Sequence, residues 1–381
     1  MKQTIASDII ALRHELHSKP EVSNSEYQTA EIIKQYIQQH NPTEIIEGIG
    51  GAGLAAIYQY SANGKTIVIR CELDALPIQE QNEMSYRSTN EGVSHKCGHD
   101  GHMAIVSGLA KWLDLADFNA GKVILLYQPA EENGQGAERV LQDIRYAGLQ
   151  ADYVFALHNL PKEPMHQILL MNKGFSAEVQ SLIVRLTGKE SHAAEPENGI
   201  NPTLAVSQIS AQLADLNVPY PEEDTFAVLT PVHINVGQPS YGISPGTGEI
   251  HYTIRTWNKG EMQLLKSKIL RSIAEISEQH KLQHHVEWLE YFPASINDRD
   301  SNELVRKAAI VNGFNITEKD YPFKFGEDFG WYSDHYKTSI FGLGAGMNTP
   351  ALHNADYDFP DELIATGSTM FKAIIRNALD E

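Results

Sequence analysis

The chain has 381 residues, enough for two domains, and 42% of them are hydrophobic, which excludes an intrinsically disordered polymer. Thirty Lys and Arg against 49 Asp and Glu leave a formal charge of −19, which argues against nucleic acid or an anionic membrane surface as a partner. Two cysteines, Cys71 and Cys97, exclude a disulfide framework, and with no signal-peptide core and no 18-residue apolar run the composition reads as a cytoplasmic protein in a reducing compartment.

In chain order, Ile9, Ile10, Leu12 and Leu16 predict an amphipathic helix over 6–18, stopped by Pro20. A second helix is expected over 25–40. The apolar, β-branched run over 66–71 predicts a buried strand that leads into Glu72-Leu73-Asp74. Next comes Lys96-Cys97-Gly98-His99-Asp100-Gly101-His102, a thiol, two imidazoles and a carboxylate with two turn-permitting glycines among them. Ala104, Ile105, Leu109, Trp112 and Leu113 follow at helical spacing, so this loop opens a helix whose N-terminal dipole favours thiolate over thiol. Further buried strands are expected over 122–128, 153–157 and 339–343. Each leads to polar residues: Glu131-Glu132, His158-Asn159 and Leu352-His353-Asn354. Apolar strands alternating with helices give an α/β fold, a mixed and mostly parallel sheet covered by helices, with a site at the strand ends.

The middle of the chain changes character. A strand over 179–187 is followed by a helix over 201–217, with Asn201 as its cap and Pro202 at its first position. Strands over 226–236 and 248–256, a helix over 261–280 and a strand over 285–291 complete a β-α-β-β-α-β pattern. This predicts a two-layer α+β, ferredoxin-like unit at 175–290, inserted into a metal-binding domain made of 1–174 and 291–381.

Cys97, His99, His158 and His353 with a carboxylate from Glu131 or Glu132 suit Zn, Mn, Co or Ni better than Ca or Mg. Side chains of adjacent residues diverge, so one glutamate can ligate while the other handles a proton. Alone, a Glu-Glu pair is ordinarily solvated surface and a His after a strand an ordinary loop residue. Their joint placement at the ends of one sheet points to a metal centre.

The chain resembles the dinuclear-metal aminoacylase/carboxypeptidase family of amidohydrolases, in the branch with hippurate hydrolases, N-acetyldiaminopimelate deacetylases and auxin-conjugate hydrolases. The resemblance runs from Leu12-Arg13-His14-Glu15-Leu16-His17 to Leu352-His353-Asn354-Ala355-Asp356-Tyr357-Asp358-Phe359. It rests on Cys97–His102, Gln128-Pro129-Ala130-Glu131-Glu132, Leu157-His158-Asn159 and Gly326-Glu327-Asp328-Phe329. It implies metal-dependent hydrolysis of the amide bond of N-acyl amino acids. Two divalent ions would be bridged by Cys97, with His99 and His158 completing one site and Glu132 and His353 the other. Glu131 would be the general base, and Asp74 and Asp100 would orient ligating imidazoles. The inserted unit would be a lid and dimerisation domain of a homodimer. Its His192 would stabilise the oxyanion, in many members at the partner's site. Arg255 is either a partner for the substrate carboxylate or half of a surface ion pair.

Three departures from the family bear on substrate choice: Glu72 where the branch has Asp, Tyr241-Gly242-Ile243-Ser244-Pro245 where it has an Asn-Val-Ile-Pro run, and Glu190-Ser191 where it has small glycines. A dipeptidase or carboxypeptidase on the same fold is an alternative reading. So is a non-catalytic metal-stabilised binding protein, against which the retention of both glutamates argues.

Overall fold

The computed structural model describes residues 7–380; the N-terminal stretch 1–6, including the first residue expected in the 6–18 helix, lies outside them. The chain divides into two compact units. One takes the chain as far as Phe175, then Ser295–Pro322, and then everything from Glu327. The other takes Ser176–Ala294 and Phe323–Gly326.

The first unit begins with helices Ser7–Ser18 and Tyr27–Ile37, the second closing in a short 3-10 turn at Gln38–His40 rather than running on to 40. Strands β1 (Glu44–Ile49) and β2 (Gly53–Gln59) form an antiparallel pair. Then come β3 (Thr66–Glu72), β4 (Lys122–Gln128), β5 (Tyr153–Leu160) and β6 (Ile168–Met171). β3 and β5 are buried along their whole length, because helices cover both faces of the sheet. Leu12 and Leu16 of the first helix, Met103 and Val106 of the helix after the ligand loop, and Ile374 near the C-terminus share one core with Ile67, Ile69 and Phe155.

The second unit carries β7 (Glu178–Thr187), the short β8 (Ser191–His192), β9 (Ala227–Val236), the short β10 (Ile243–Ser244), β11 (Thr247–Thr256) and β12 (Gln283–Phe292). Its main sheet is antiparallel throughout, in the order β12-β7-β11-β9, with β11 paired to β7 from Thr247↔Thr187 to Thr256↔Glu178. Helices Thr203–Ala214 and Lys259–Gln279 supply Ile209, Leu213, Ile269 and Ile273 to a core with Leu182, Val184, Ile250 and Tyr252. Asn258 caps the longer helix by accepting from the Glu261 amide at 3.0 Å. The shorter helix starts one residue later than expected. The Asn201 side chain turns onto the Thr203 amide at 2.9 Å, which leaves Pro202 in the cap position.

The chain then returns to the first unit for β13 (Ile316–Lys319) and β14 (Lys337–Gly344). Its sheet runs β1-β2-β4-β3-β5-β14-β6-β13, with the four central strands parallel to one another. β5 is longer than the expected 153–157, because its ladder with β14 continues to Leu160↔Gly344. His158 therefore sits within the strand rather than past its end.

Candidate metal centre

Cys97 precedes Gly98, whose φ of 93° lies in the left-handed region; a Cβ there would stand 2.8 Å from the Asn159 side chain. His99 opens the helix His99–Ser107. Its Nδ1 donates to the backbone carbonyl of Asp74 at 2.8 Å, which turns Nε2 toward the other donors. Burial pulls the ring's pKa down, but Asp74, Glu72 and Glu132 more than reverse this and hold it at about 10, so a cation bound at Nε2 would displace a proton. His158 is set the same way: its Nδ1 donates to the Asn159 carbonyl at 2.9 Å and its Nε2 faces the Cys97 sulfur at 3.6 Å. The β4 strand ends at Gln128 and is followed by Pro129 and then Ala130, whose φ of 52° is left-handed without a glycine. This turn sends Glu131 and Glu132 toward His99, each with a carboxylate oxygen 3.9 Å from its Nε2. His353, also left-handed at φ 65°, brings its Nε2 to 3.7 Å from Glu132.

Among the described residues, five groups of donors lie close enough to hold a cation, including His99 with Glu131 and Glu132, Glu131 with Glu327 and Asp328, and Glu72 with His99 and His102; the other two share one sulfur. Cys97, His99 and His158 offer donor atoms within 4.8 Å of one another, and so do Cys97, Glu132 and His353. Cys97 belongs to both. Among the described residues, His99 Nε2, Glu132 Oε1 and Asp74 Oδ1 are buried with no hydrogen-bond partner. Leaving each such group unsatisfied costs about 1–3 kcal/mol, which a cation at that point would offset. Negative charge also exceeds positive charge here. Burial, and then repulsion from Glu327 and Glu132, pushes the Glu131 carboxyl well up; burial lifts Glu132 to about 7. Burial lowers His158 to about 3, which leaves the neutral imidazole that a metal needs. The donor set and the unpaired charge both fit a pair of divalent cations.

The thiol behaves differently from the sequence expectation. Burial and the nearby Glu132 and Glu131 push its pKa up, and the helix dipole does not reverse this. A cation held beside the sulfur would favour the thiolate.

Asp74 does meet His99, through its main chain. Its Oδ2 is occupied by the Glu132 amide at 2.9 Å and the Ser23 hydroxyl at 2.7 Å. Asp100, expected to orient a ligating imidazole, turns away and binds Arg13 Nε and His17 Nδ1, both at 2.8 Å. Arg255 and His192 belong to the second unit. The Arg255 guanidinium donates to the Lys324 carbonyl at 2.5 Å. His192 is exposed, and its Nδ1 accepts the Ala194 amide at 3.0 Å, so the neutral ring carries its proton on Nε2. The divergent segment lies directly opposite: Ile243 pairs with His192, and the Gly242 carbonyl accepts from Ala193.

Several buried residues at the centre have partners that the sequence reading did not assign. His102 has Glu72 and Asn159 oxygens 2.6 Å from its two ring nitrogens, so the unusual Glu72 reaches a histidine beside both candidate ligand rings. Arg70, wholly buried, binds Glu72, Gln128 at 2.9 Å, Glu327 at 3.0 Å and Asp328 at 2.7 Å. The Asp328 amide in turn lies 3.4 Å from a Glu131 oxygen. Arg70 was hidden because an arginine inside a β-branched run gives no pattern of its own.

The model of peptidase family M20/M25/M40 matches residues 68–377. The chain belongs to that family. It is therefore a metal-dependent amidohydrolase. It is 33% identical to an N-acetyl-L-cysteine deacetylase of Bacillus subtilis, over 90% of this chain and 81% of that one. It is 27% identical to the hippurate hydrolase of Campylobacter jejuni, over 94% of each. The crystal structure of a dinuclear metal-binding M20 peptidase from Bacillus subtilis superposes with a TM-score of 0.84 at 26% identity, covering 98% of both chains. No helix among the described residues is long and apolar enough to cross a membrane.

Proposed function

We propose that this M20 hydrolase cleaves the amide bond of small N-acyl amino acids, releasing a carboxylic acid and an amino acid. The observation that carries the reading is the sharing of Cys97 by two donor groups, with buried Glu131 against both. The names of the deacetylase and the hippurate hydrolase point to the same substrate class. Cys97, His99 and His158 would hold one divalent ion, and Cys97, Glu132 and His353 the other, drawn from Zn, Mn, Co or Ni. Such a pair lowers the pKa of water toward neutrality and polarises the amide oxygen.

The chain's own residues do the rest. Glu131 takes the proton from the attacking water and delivers it to the leaving amine. Burial suits it to this, because it makes the carboxylate a stronger base than an exposed one. The His192 Nε2–H donates to the oxyanion. The second unit, read as a ferredoxin-like lid, also serves as the dimer contact of a homodimer. In support, β9 is an edge strand with Val232 and Ile234 exposed along it. A cytoplasmic setting suits a site whose shared donor is a free thiol.

The test is turnover of acetyl-, benzoyl- and indole-acyl amino acids by protein loaded in turn with Zn, Mn, Co and Ni, with dipeptides in the same panel. Hydrolysis of one acyl series supports the reading. Turnover of dipeptides alone would replace it with a peptidase.

A further inference from the structure

His353 is the least supported of the candidate ligands. Half of its side chain is exposed (51%), its backbone is left-handed, and it lies in the stretch 345–362, which holds neither helix nor strand. A conformation of that kind persists where the surroundings over-determine it. Two buried cations do so. The His353 amide donates to the Lys96 carbonyl at 2.8 Å, and Lys96 Nζ reaches back to the Tyr357 carbonyl at 2.7 Å and to Glu80 at 2.6 Å. Arg13 is fully buried and spreads its fork between two chain segments. Its Nε donates to Asp100 at 2.8 Å, in the first turn of the ligand helix. Its Nη1 donates to Asp361 at 2.9 Å, and its Nη2 to Asp358, both just beyond His353.

We infer that Arg13, remote from the donor atoms, is a positioning residue for the ion held by Cys97, Glu132 and His353. It locks the loop that carries Cys97 to the segment that carries His353. The inference rests on the two-ion reading above. A buried ion-pair cluster is weak evidence for stability as such, because desolvation offsets much of the attraction. What the cluster does provide is a fixed spacing between two stretches otherwise joined by few bonds. A lysine cannot replace it, since one ammonium cannot serve three carboxylates in a planar fork.

The test uses full-length protein stripped of metal and titrated calorimetrically with Mn(II). Variants are Arg13→Lys, Asp361→Asn, His353→Ala and the double variant Arg13→Lys/His353→Ala. In Arg13→Lys and Asp361→Asn, one of the two Mn(II) ions should bind about 10-fold or more weakly and the other as in the unaltered protein, the usual size of an outer-partner effect. In the His353→Ala background, Arg13→Lys should shift the remaining ion by less than about twofold, as expected when both act on one site. If Arg13→Lys does not fold, Asp361→Asn, which removes one arm at a partly exposed carboxylate, decides the matter. Unchanged binding of both ions, or equal weakening of both, overturns the inference. If His353→Ala itself keeps two ions at full affinity, the two-ion assignment fails and takes the inference with it.

Discussion

At the scale of single residues, the division of labour between Glu131 and Glu132 is the sharpest expectation. Glu131 is buried and Glu132 half-buried, and both face His99, yet only Glu132 joins a donor group with Cys97 and His353. Glu131→Gln should therefore keep its bound metal and lose at least about 10²-fold in kcat, the lower range for general base catalysis. Steady-state kinetics on samples of measured metal content check this; near-normal turnover would move the base elsewhere. His17 gives a pH signature. Burial pulls its pKa down, but hydrogen bonds to Asp100 and Glu80 more than reverse this and hold it at about 9, against 6.5 for an ordinary histidine. A raised folded-state pKa stabilises the protein fully below about 6.5, and that contribution is lost as pH rises through about 9. Denaturant midpoints of metal-loaded protein should fall between pH 6.5 and pH 9, and His17→Gln should flatten that fall. An equal slope in the variant would show that His17 is not its source.

At the scale of elements, the parallel core of the sheet was legible because β3, β4 and β14 are continuous apolar runs. The β-α-β-β-α-β order of the insert could be read from its alternation. The hairpin β1–β2, the four-residue strands β6 and β13, and the helices Arg299–Val311 and Leu363–Asp380 were not read. The two short strands are defined by their ladder partners, which local sequence does not reveal. The candidate ligands were legible as residue types, whereas the roles of Arg13, Arg70, His17 and His102 were not, since their partners lie up to 348 positions away in sequence. The ligand helix also carries a packing constraint. A Cβ on Gly101 would stand 2.3 Å from the Phe359 ring, which sits in the segment after His353. Gly101→Ala should destabilise the fold by about 1–3 kcal/mol, as overpacking does. It should weaken metal binding along with stability. Thermal unfolding and metal titration of the variant check this, and a neutral result would mean that the segment yields easily.

For the whole molecule, the expected partnership between subunits gives a test of its own. His192→Ala should keep its metal and lose about 10²–10³-fold in kcat, by analogy with deleting one oxyanion donor. Mixing it with excess Glu131→Gln should restore activity in mixed dimers, since one chain supplies the histidine and the other a working base. No recovery in verified mixed dimers would confine the histidine to its own chain. The central claim is that five residues spread from Cys97 to His353 hold two ions through a shared sulfur. Metal content per chain of His158→Ala, His353→Ala and Cys97→Ala, measured by elemental analysis after Mn(II) loading, tests it most directly. The account predicts two ions in the unaltered protein, about one in each histidine variant and fewer than one when the shared sulfur is gone. Two ions retained in all three variants would contradict it.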